Sequence, residues 1–267
     1  MHRRPHAGGS FERVSLGSHP HRGESSVNSV TIAKRPAAAA DTRSVISPGC
    51  RMRVLIVGAH SLHRAQLWRF LLAQPDVATV AAAASAREGF AATRDSPIDV
   101  AVIDDRLPDR DGLSLTRQLH NLRHPPRVLI YAASPDARLA IATLVAGADG
   151  LCDKRRRHTE VSDAVRAVAR SVLVLPTIQP GTLRAVAAQV DPQDLPILGM
   201  LVSRVSPGDI TSTLGISSGS LEARRTAFLR RLALGSQELS ASHREPRALA
   251  RRGINGSIHR NDSANRQ

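Results

Sequence analysis

Lysine is nearly missing from this chain: Lys34 and Lys154 are the only two among 37 basic residues in 267. Wherever positive charge alone suffices the sequence uses arginine. A lysine kept at one place suggests that a compact ammonium on a flexible stem is wanted there, rather than a planar fork. Aromatic residues make up 2% of the chain, which argues against gripping single-stranded nucleic acid by base stacking. Cysteine is limited to Cys50 and Cys152. With Cys152 inside a strand-like apolar run, this pattern favours a reduced, cytosolic protein over a disulfide framework. Apolar runs long enough to cross a membrane are also absent, so no membrane partner is expected.

What is present fits a globular protein with room for two small domains: 42% of residues are hydrophobic. The formal charge of +14 supports a general attraction to polyanions. More than half of that excess sits in the two ends, residues 1–51 and 233–267, so the charge alone does not establish nucleic-acid binding.

Residues 1–51 are rich in Ser, Gly, Pro, His and Arg, lack apolar periodicity, and read as a disordered extension. Their Arg-rich, acid-poor composition is similar to a transit peptide. The favoured reading is an over-extended reading frame with the natural start at Met52. His2, His6, His19 and His21 have no ligand partners at fixed spacing and are not read as a metal site. From Met52 onward strand and helix patterns alternate. Short β-branched runs at 53–57, 77–82, 99–104, 127–131 and 149–152 are separated by helical stripes such as Leu115, Leu119, Leu122. That order predicts an α/β domain over 52–170 with a doubly wound, five-stranded parallel sheet. Residues 171–189 read as a linker with room for one short helix. Residues 190–234 read as a small all-α domain, and 235–267 as a disordered basic tail.

In a doubly wound sheet the site lies at the carboxyl ends of the strands. Asp104 closes the run Val100-Ala101-Val102-Ile103-Asp104, Lys154 closes Ala148-Asp149-Gly150-Leu151-Cys152-Asp153-Lys154, and Gly58-Ala59-His60 follows the first strand. With these residues in place, 52–170 resembles the flavodoxin-like receiver domain of a two-component response regulator. Residues 190–232, through Leu214-Gly215-Ile216-Ser217, resemble a LuxR-type helix-turn-helix. The whole is similar to the NarL/FixJ class.

The resemblance implies a phospho-acceptor at Asp104, a receiver-site lysine at Lys154, and a Mg²⁺ that neutralises the transferring phosphoryl group. It also marks departures. The metal-binding acidic pair falls on Gly58 and Ala59, the hydroxyl of the switch on Ala132, and its aromatic partner on Leu151. Asp105 is expected on the opposite face of its strand, by alternation, and Asp109 and Asp111 in the following loop. Magnesium binding is therefore doubtful, no cofactor is expected, and the protein is not read as an enzyme. Two states of the site stay open: a direct Asp104–Lys154 ion pair, or a solvated Lys154 with Asp104 satisfied by backbone N–H groups. A small ligand in the emptied pocket is a remote third use, and the Val57-Gly58-Ala59 turn is no dinucleotide fingerprint.

The implied DNA-reading helix runs from Ser217 to Leu232. Leu221, Phe228 and Leu232 share one face and are expected to anchor on Ile197, Leu201, Ile210 and Leu214. Gly219, Glu222, Ala223, Thr226 and Arg230 then face the groove, and Ser218, Ser220 and Arg224 are candidate phosphate contacts. Three features depart from the family: Glu222 replaces a common lysine, Arg225 occupies an inward aliphatic position, and Pro196 falls about one turn into the first helix of the module. Arginines on this helix would otherwise form an ordinary solvated basic face. The resulting expectation is a cytosolic transcription regulator with an altered receiver, binding double-stranded DNA as a homodimer or as a heterodimer with another regulator. The alternatives are an interaction partner that tunes an intact regulator without binding DNA, and a conventional phosphorelay regulator in which a sensor kinase acts on Asp104.

Overall fold

The computed structural model describes the backbone of residues 30–33 and 51–242, and the side chains of 51–232. In chain order the elements are β1 (Val30–Ala33), β2 (Met52–Val57), α1 (Ser61–Leu72), β3 (Val77–Ala83), α2 (Ala86–Asp95), β4 (Val100–Asp104), α3 (Gly112–His120), β5 (Arg127–Ala132), α4 (Ala137–Ala146), β6 (Gly150–Asp153), α5 (His158–Ala169), β7 (Leu173–Pro176), α6 (Pro180–Ala187), a 3₁₀ turn (Pro192–Asp194), α7 (Leu195–Val202), α8 (Pro207–Leu214) and α9 (Ser218–Ser242).

The sheet order is β1-β7-β6-β5-β4-β2-β3. Strands β3, β2, β4, β5 and β6 are parallel neighbours, the five that the sequence pattern predicts. The chain leaves β2 for β3 on one side and then crosses to β4 on the other. The switch point therefore falls between the carboxyl ends of β2 and β4, where Gly58 and Asp104 stand. Alternation on β2 divides the core between the two faces. Val54 and Ile56 pack with Leu67, Leu71, Val161, Val165 and Val168, under α1 and α5. Leu55 and Val57 pack with Leu115, Leu119 and Leu144, under α3 and α4.

The sheet is wider than five strands. Leu173–Pro176, expected as linker, is β7; it meets β6 in parallel at Gly150 and Val174. Val30–Ala33, expected inside a disordered extension, pairs antiparallel with β7. Leu173-Val174-Leu175 is a short apolar run that fits between β6 and β1, and the Pro176 that ends it marked the segment as linker on composition alone. The rest of the expected linker carries α6, with Pro180 at its first turn where a missing N–H costs nothing. Most of residues 1–51 and all of 243–267 lie outside the described residues. Helix α9 runs on to Ser242, past the point where a tail was expected to begin.

The helical region does not stand apart from the sheet domain. Ile141, Ala142 and Val145 of α4 share a cluster with Val186, Ile197, Leu198, Leu201, Ile210, Leu221, Phe228 and Leu232. Both faces of α4 are therefore covered, and Ala140 to Ala146 are all buried. Full burial of Ile141 and Val145 alone contributes roughly 1.5–3 kcal/mol each. Pro196 is accommodated because α7 begins at Leu195, placing the proline in the first turn.

Candidate functional site

Asp104 is the last residue of β4 and is 6% exposed. Lys154 follows β6, with its backbone N–H held by the Ala132 carbonyl at 2.8 Å. Its ammonium ion-pairs with Asp104 and also reaches Asp105 Oδ1 at 3.5 Å. The backbone N–H of Arg106 donates to Asp104 Oδ1 at 3.1 Å. The direct pair and the backbone bond thus coexist at one carboxylate. The Tyr131 ring lies 5.9 Å from the Lys154 ammonium, and the Tyr131 hydroxyl donates to the Lys154 carbonyl at 3.3 Å. Burial, with nearby Cys152, Asp153 and Asp104, pushes the Tyr131 phenol up to about 12.

Asp105 departs from the strand-alternation expectation. The strand ends at Asp104, the Asp105 N–H bonds to the Tyr131 carbonyl, and the side chain turns onto Lys154. Burial raises its pKa first, the adjoining Asp104 adds to the rise, and Lys154 opposes it. Asp109 and Asp111 do local structural work instead. Asp109 accepts from the N–H groups of Ala86 and Arg87 at the start of α2, and Asp111 caps α3 through the Ser114 N–H. Ala132 and Leu151 are buried and apolar, at 0% and 3% exposed, and Leu151 packs within the core under α3 and α4.

Gly58 borders Asp104 so closely that a Cβ there would lie 3.7 Å from Asp104 Oδ2. The Gly58 carbonyl accepts from the Arg64 guanidinium, and Ala59 accepts from the same nitrogen at 3.3 Å. Arg64 was not singled out in the sequence. It shares α1 with one other arginine, Arg69, in a chain rich in arginine, so spacing alone gave no signal.

The helix-turn-helix region forms as its pattern predicts. Ser206 caps α8 through the Asp209 N–H, Gly215 turns the chain at φ 62°, and Ser217 accepts from the Ser220 N–H at 3.1 Å to open α9. Leu221, Phe228 and Leu232 are buried with Ile197, Leu201 and Ile210, and Leu214 packs at the edge of that cluster.

Ser218, Gly219, Ala223 and Arg230 are exposed, while Ser220 and Thr226 are half-buried, with the Thr226 hydroxyl bonded to the Glu222 carbonyl. Two expected DNA contacts are engaged within the chain. Glu222 accepts from Arg117 of α3 at 3.0 Å and from Arg225 at 2.5 Å, and Arg224 is paired with Asp194. Glu222 turns toward the sheet domain because α3 supplies a cation there. Arg225 neither snorkels nor disrupts the helix: at 2% exposed, it donates to the Val145 carbonyl at 3.1 Å at the end of α4. Burial lowers its pKa, and Glu222 counteracts the shift.

Two further residues tie the regions together. Arg204, at φ 61°, donates to Asp149 at 2.6 Å and to the Ala148 carbonyl at 2.7 Å. Asp149 also accepts from Arg127 at 3.3 Å and from the Val128 N–H at 3.0 Å.

A doubly wound sheet with an aspartate and a lysine at its carboxyl edge, followed by a helix-turn-helix, defines a receiver-type regulator. Residues 54–166 match the response regulator receiver domain. A transcriptional regulator from Pseudomonas aeruginosa is 30% identical over 152 residues, covering 57% of this chain and 72% of that protein. The DNA-binding transcriptional activator DevR/DosR of Mycobacterium tuberculosis is 26% identical over 193 residues, covering 68% of this chain and 89% of that protein. The transcriptional regulatory protein LiaR of Bacillus subtilis is 28% identical over 119 residues, covering 45% of this chain and 56% of that protein. Among solved structures, a two-component response regulator of the LuxR family from Aurantimonas aligns at 26% identity with a TM-score of 0.44, covering 52% of this chain and 97% of that one. The chain belongs to the response regulators of the NarL/LuxR class. Among the described residues no helix is long and apolar enough to cross a membrane.

Proposed function

We propose that this protein is a transcription regulator that binds double-stranded DNA through α9, with a receiver that does not operate by conventional Mg²⁺-dependent phosphorylation of Asp104. The observation that carries the reading is the complete helix-turn-helix: α8, the Gly215 turn, and α9 anchored by Leu221, Phe228 and Leu232. The altered receiver is supported by Ala132, which offers no hydroxyl to bond a phosphoryl group, and by Leu151, which offers no aromatic ring to switch rotamer with it. In this arrangement Arg117 and Arg225 hold Glu222 against α3 and α4, so the groove-facing side of α9 is partly committed to the receiver. DNA binding therefore competes with the domain contact.

The test is recovery of fragmented genomic DNA by the full chain, without phosphodonor, at two salt concentrations. Sequence-selective recovery that persists at the higher salt and is lost in Arg230→Ala or Thr226→Ala supports the reading. Recovery without selectivity that collapses with salt reflects counterion release alone and overturns it. The engaged carboxylate of Glu222 favours one second reading, a partner that pairs with an intact regulator and does not bind DNA. That reading expects negligible DNA recovery and a stable heterodimer.

A further inference from the structure

Helices α4, α5, α7 and α8 each close on a residue in the left-handed region. Glycine fills that place after α4 and α8, at Gly147 and Gly215, as expected where a Cβ is costly. Ser171 at φ 64° and Arg204 at φ 61° fill it after α5 and α7, and among the described residues no other non-glycine residue has a positive φ. Both side chains converge on one buried pair. Arg127 and Asp149, at the starts of β5 and β6, are joined at 3.3 Å. Ser171 Oγ accepts from Arg127 at 2.7 Å, and Arg204 donates to Asp149 at 2.6 Å and to the Ala148 carbonyl at 2.7 Å. A backbone cost carried twice, each time by a side chain that reaches the same pair, marks those side chains as wanted there.

We propose that Arg204 and Asp149 form a releasable latch at the amino-terminal edge of the sheet, which holds α7–α9 on α4 and sets how often the Glu222 side of α9 is uncovered. One half of the latch is fixed. Arg127, Ser171, Asp149 and the Val128 N–H that donates to Asp149 Oδ2 at 3.0 Å all belong to the sheet domain, so this half stands whether or not the helices are docked. The other half is Arg204, from the turn between α7 and α8. Its side chain is 15% exposed against 2% for Arg127, and it binds the same Asp149 oxygen that Arg127 does. When Arg204 leaves, its guanidinium regains water while Asp149 keeps Arg127 and the Val128 N–H. Release therefore strands no buried charge, the step that makes breaking most buried pairs expensive. The latch lies at the opposite edge of the sheet from Asp104 and operates without chemistry there.

Opening is a property of the chain alone, while its effect on DNA rests on α9 being the DNA-binding helix. Opening is read by thiol labelling of the full chain carrying Ala142→Cys, with Cys50→Ser and Cys152→Ala. Ala142 lies on the α4 face packed against the helical region and is 4% exposed, so a thiol there is labelled when α7–α9 lift off. Arg204→Gly cuts the tie yet suits the left-handed turn, so α7 still closes. It is expected to speed labelling about tenfold, with a smaller loss of urea midpoint than Arg204→Ala. Arg204→Lys, which keeps a cation for Asp149, is expected to label more slowly than Arg204→Gly. Labelling unchanged by Arg204→Gly overturns the latch. Labelling that rises across the three variants only in step with a falling urea midpoint also overturns it, because general loosening then accounts for the effect. Faster labelling with raised DNA retention supports both the latch and the DNA-binding role of α9. Faster labelling with unchanged retention upholds the latch and overturns the competition between DNA and the domain contact. Arg204→Gln carries the same comparison if Arg204→Gly does not fold.

Discussion

Arg204 and Asp149 are joined at 2.6 Å, the arginine from the turn between α7 and α8, the aspartate from the residue before β6. Arg204 sits in a left-handed conformation that glycine usually fills at a helix end. Its N–H bonds to Leu201 and the next residue's to Met200, closing α7 in the manner of a Schellman turn. A non-glycine residue there costs of order 1 kcal/mol. The side chain offsets that cost by tying the helical region to the edge of the sheet opposite Asp104.

Removing Asp149 should therefore be worse than removing Arg204. Asp149→Asn leaves two arginines without their buried carboxylate and is expected to cost about 3 kcal/mol in urea unfolding. Arg204→Ala leaves Asp149 with Arg127 and the Val128 N–H and is expected to cost about 1.5 kcal/mol. Equal losses would mean that Asp149 matters only through Arg204.

Glu222 is held by two arginines, and weakening that hold should help DNA. The Arg117–Glu222 pair is partly buried, and its loss is worth up to about 1 kcal/mol, or about fivefold in affinity. Arg117→Ala and Glu222→Gln should both raise DNA retention in a salt-controlled binding assay. A fall in retention with Arg117→Ala would show that Arg117 touches DNA itself.

Arg225 is a buried charge inside an apolar cluster. Arg225→Ala is expected to cost about 3 kcal/mol, through the cavity and the stranded Val145 carbonyl. Arg225→Leu restores apolar packing and should cost markedly less in the same unfolding measurement. Similar losses for both would place the importance in the charge itself.

The carboxylates set opposite pH trends. Arg166 holds Asp76 below the usual 3.8, and Arg155 does the same for Asp153. Their contribution is present above that value and fades as pH falls through the lower folded value. Asp105 is raised, so its contribution is complete below 3.8 and is lost as pH rises through the raised value. Stability measured against pH should therefore drop on the acid side less steeply in Asp76→Asn. Asp105→Asn should narrow the loss on the neutral side.

Much of the fold was legible in the sequence because its two periodicities are local. Alternation such as Val54/Leu55/Ile56/Val57 and stripes such as Leu115/Leu119 each follow from which neighbours a buried face needs. The Asp104–Lys154 pair was anticipated as one of two states, since both residues fall at strand carboxyl ends on the same edge of the sheet. Asp105 was misplaced because alternation holds only inside a strand, and β4 stops one residue earlier. The strand at Leu173–Pro176 was missed because it is only four residues long and ends in a proline, which outweighs its apolar run in composition.

By itself the sequence determined the alternation of five parallel strands with helices from Met52 to Ala169, the residues at the carboxyl edge of the sheet, and the anchored face of α9. Those follow from side-chain periodicity and strand connection, which act over short stretches of chain. Only the tertiary structure decided that Glu222 meets Arg117, 105 residues away, that Arg204 reaches Asp149, and that Arg64 covers the Gly58–Ala59 turn. The first two join residues of different regions. The third depends on how α1 leaves the sheet. No local pattern encodes which charged side chains a docked surface will bring together, because surface charges are interchangeable until packing fixes their partners.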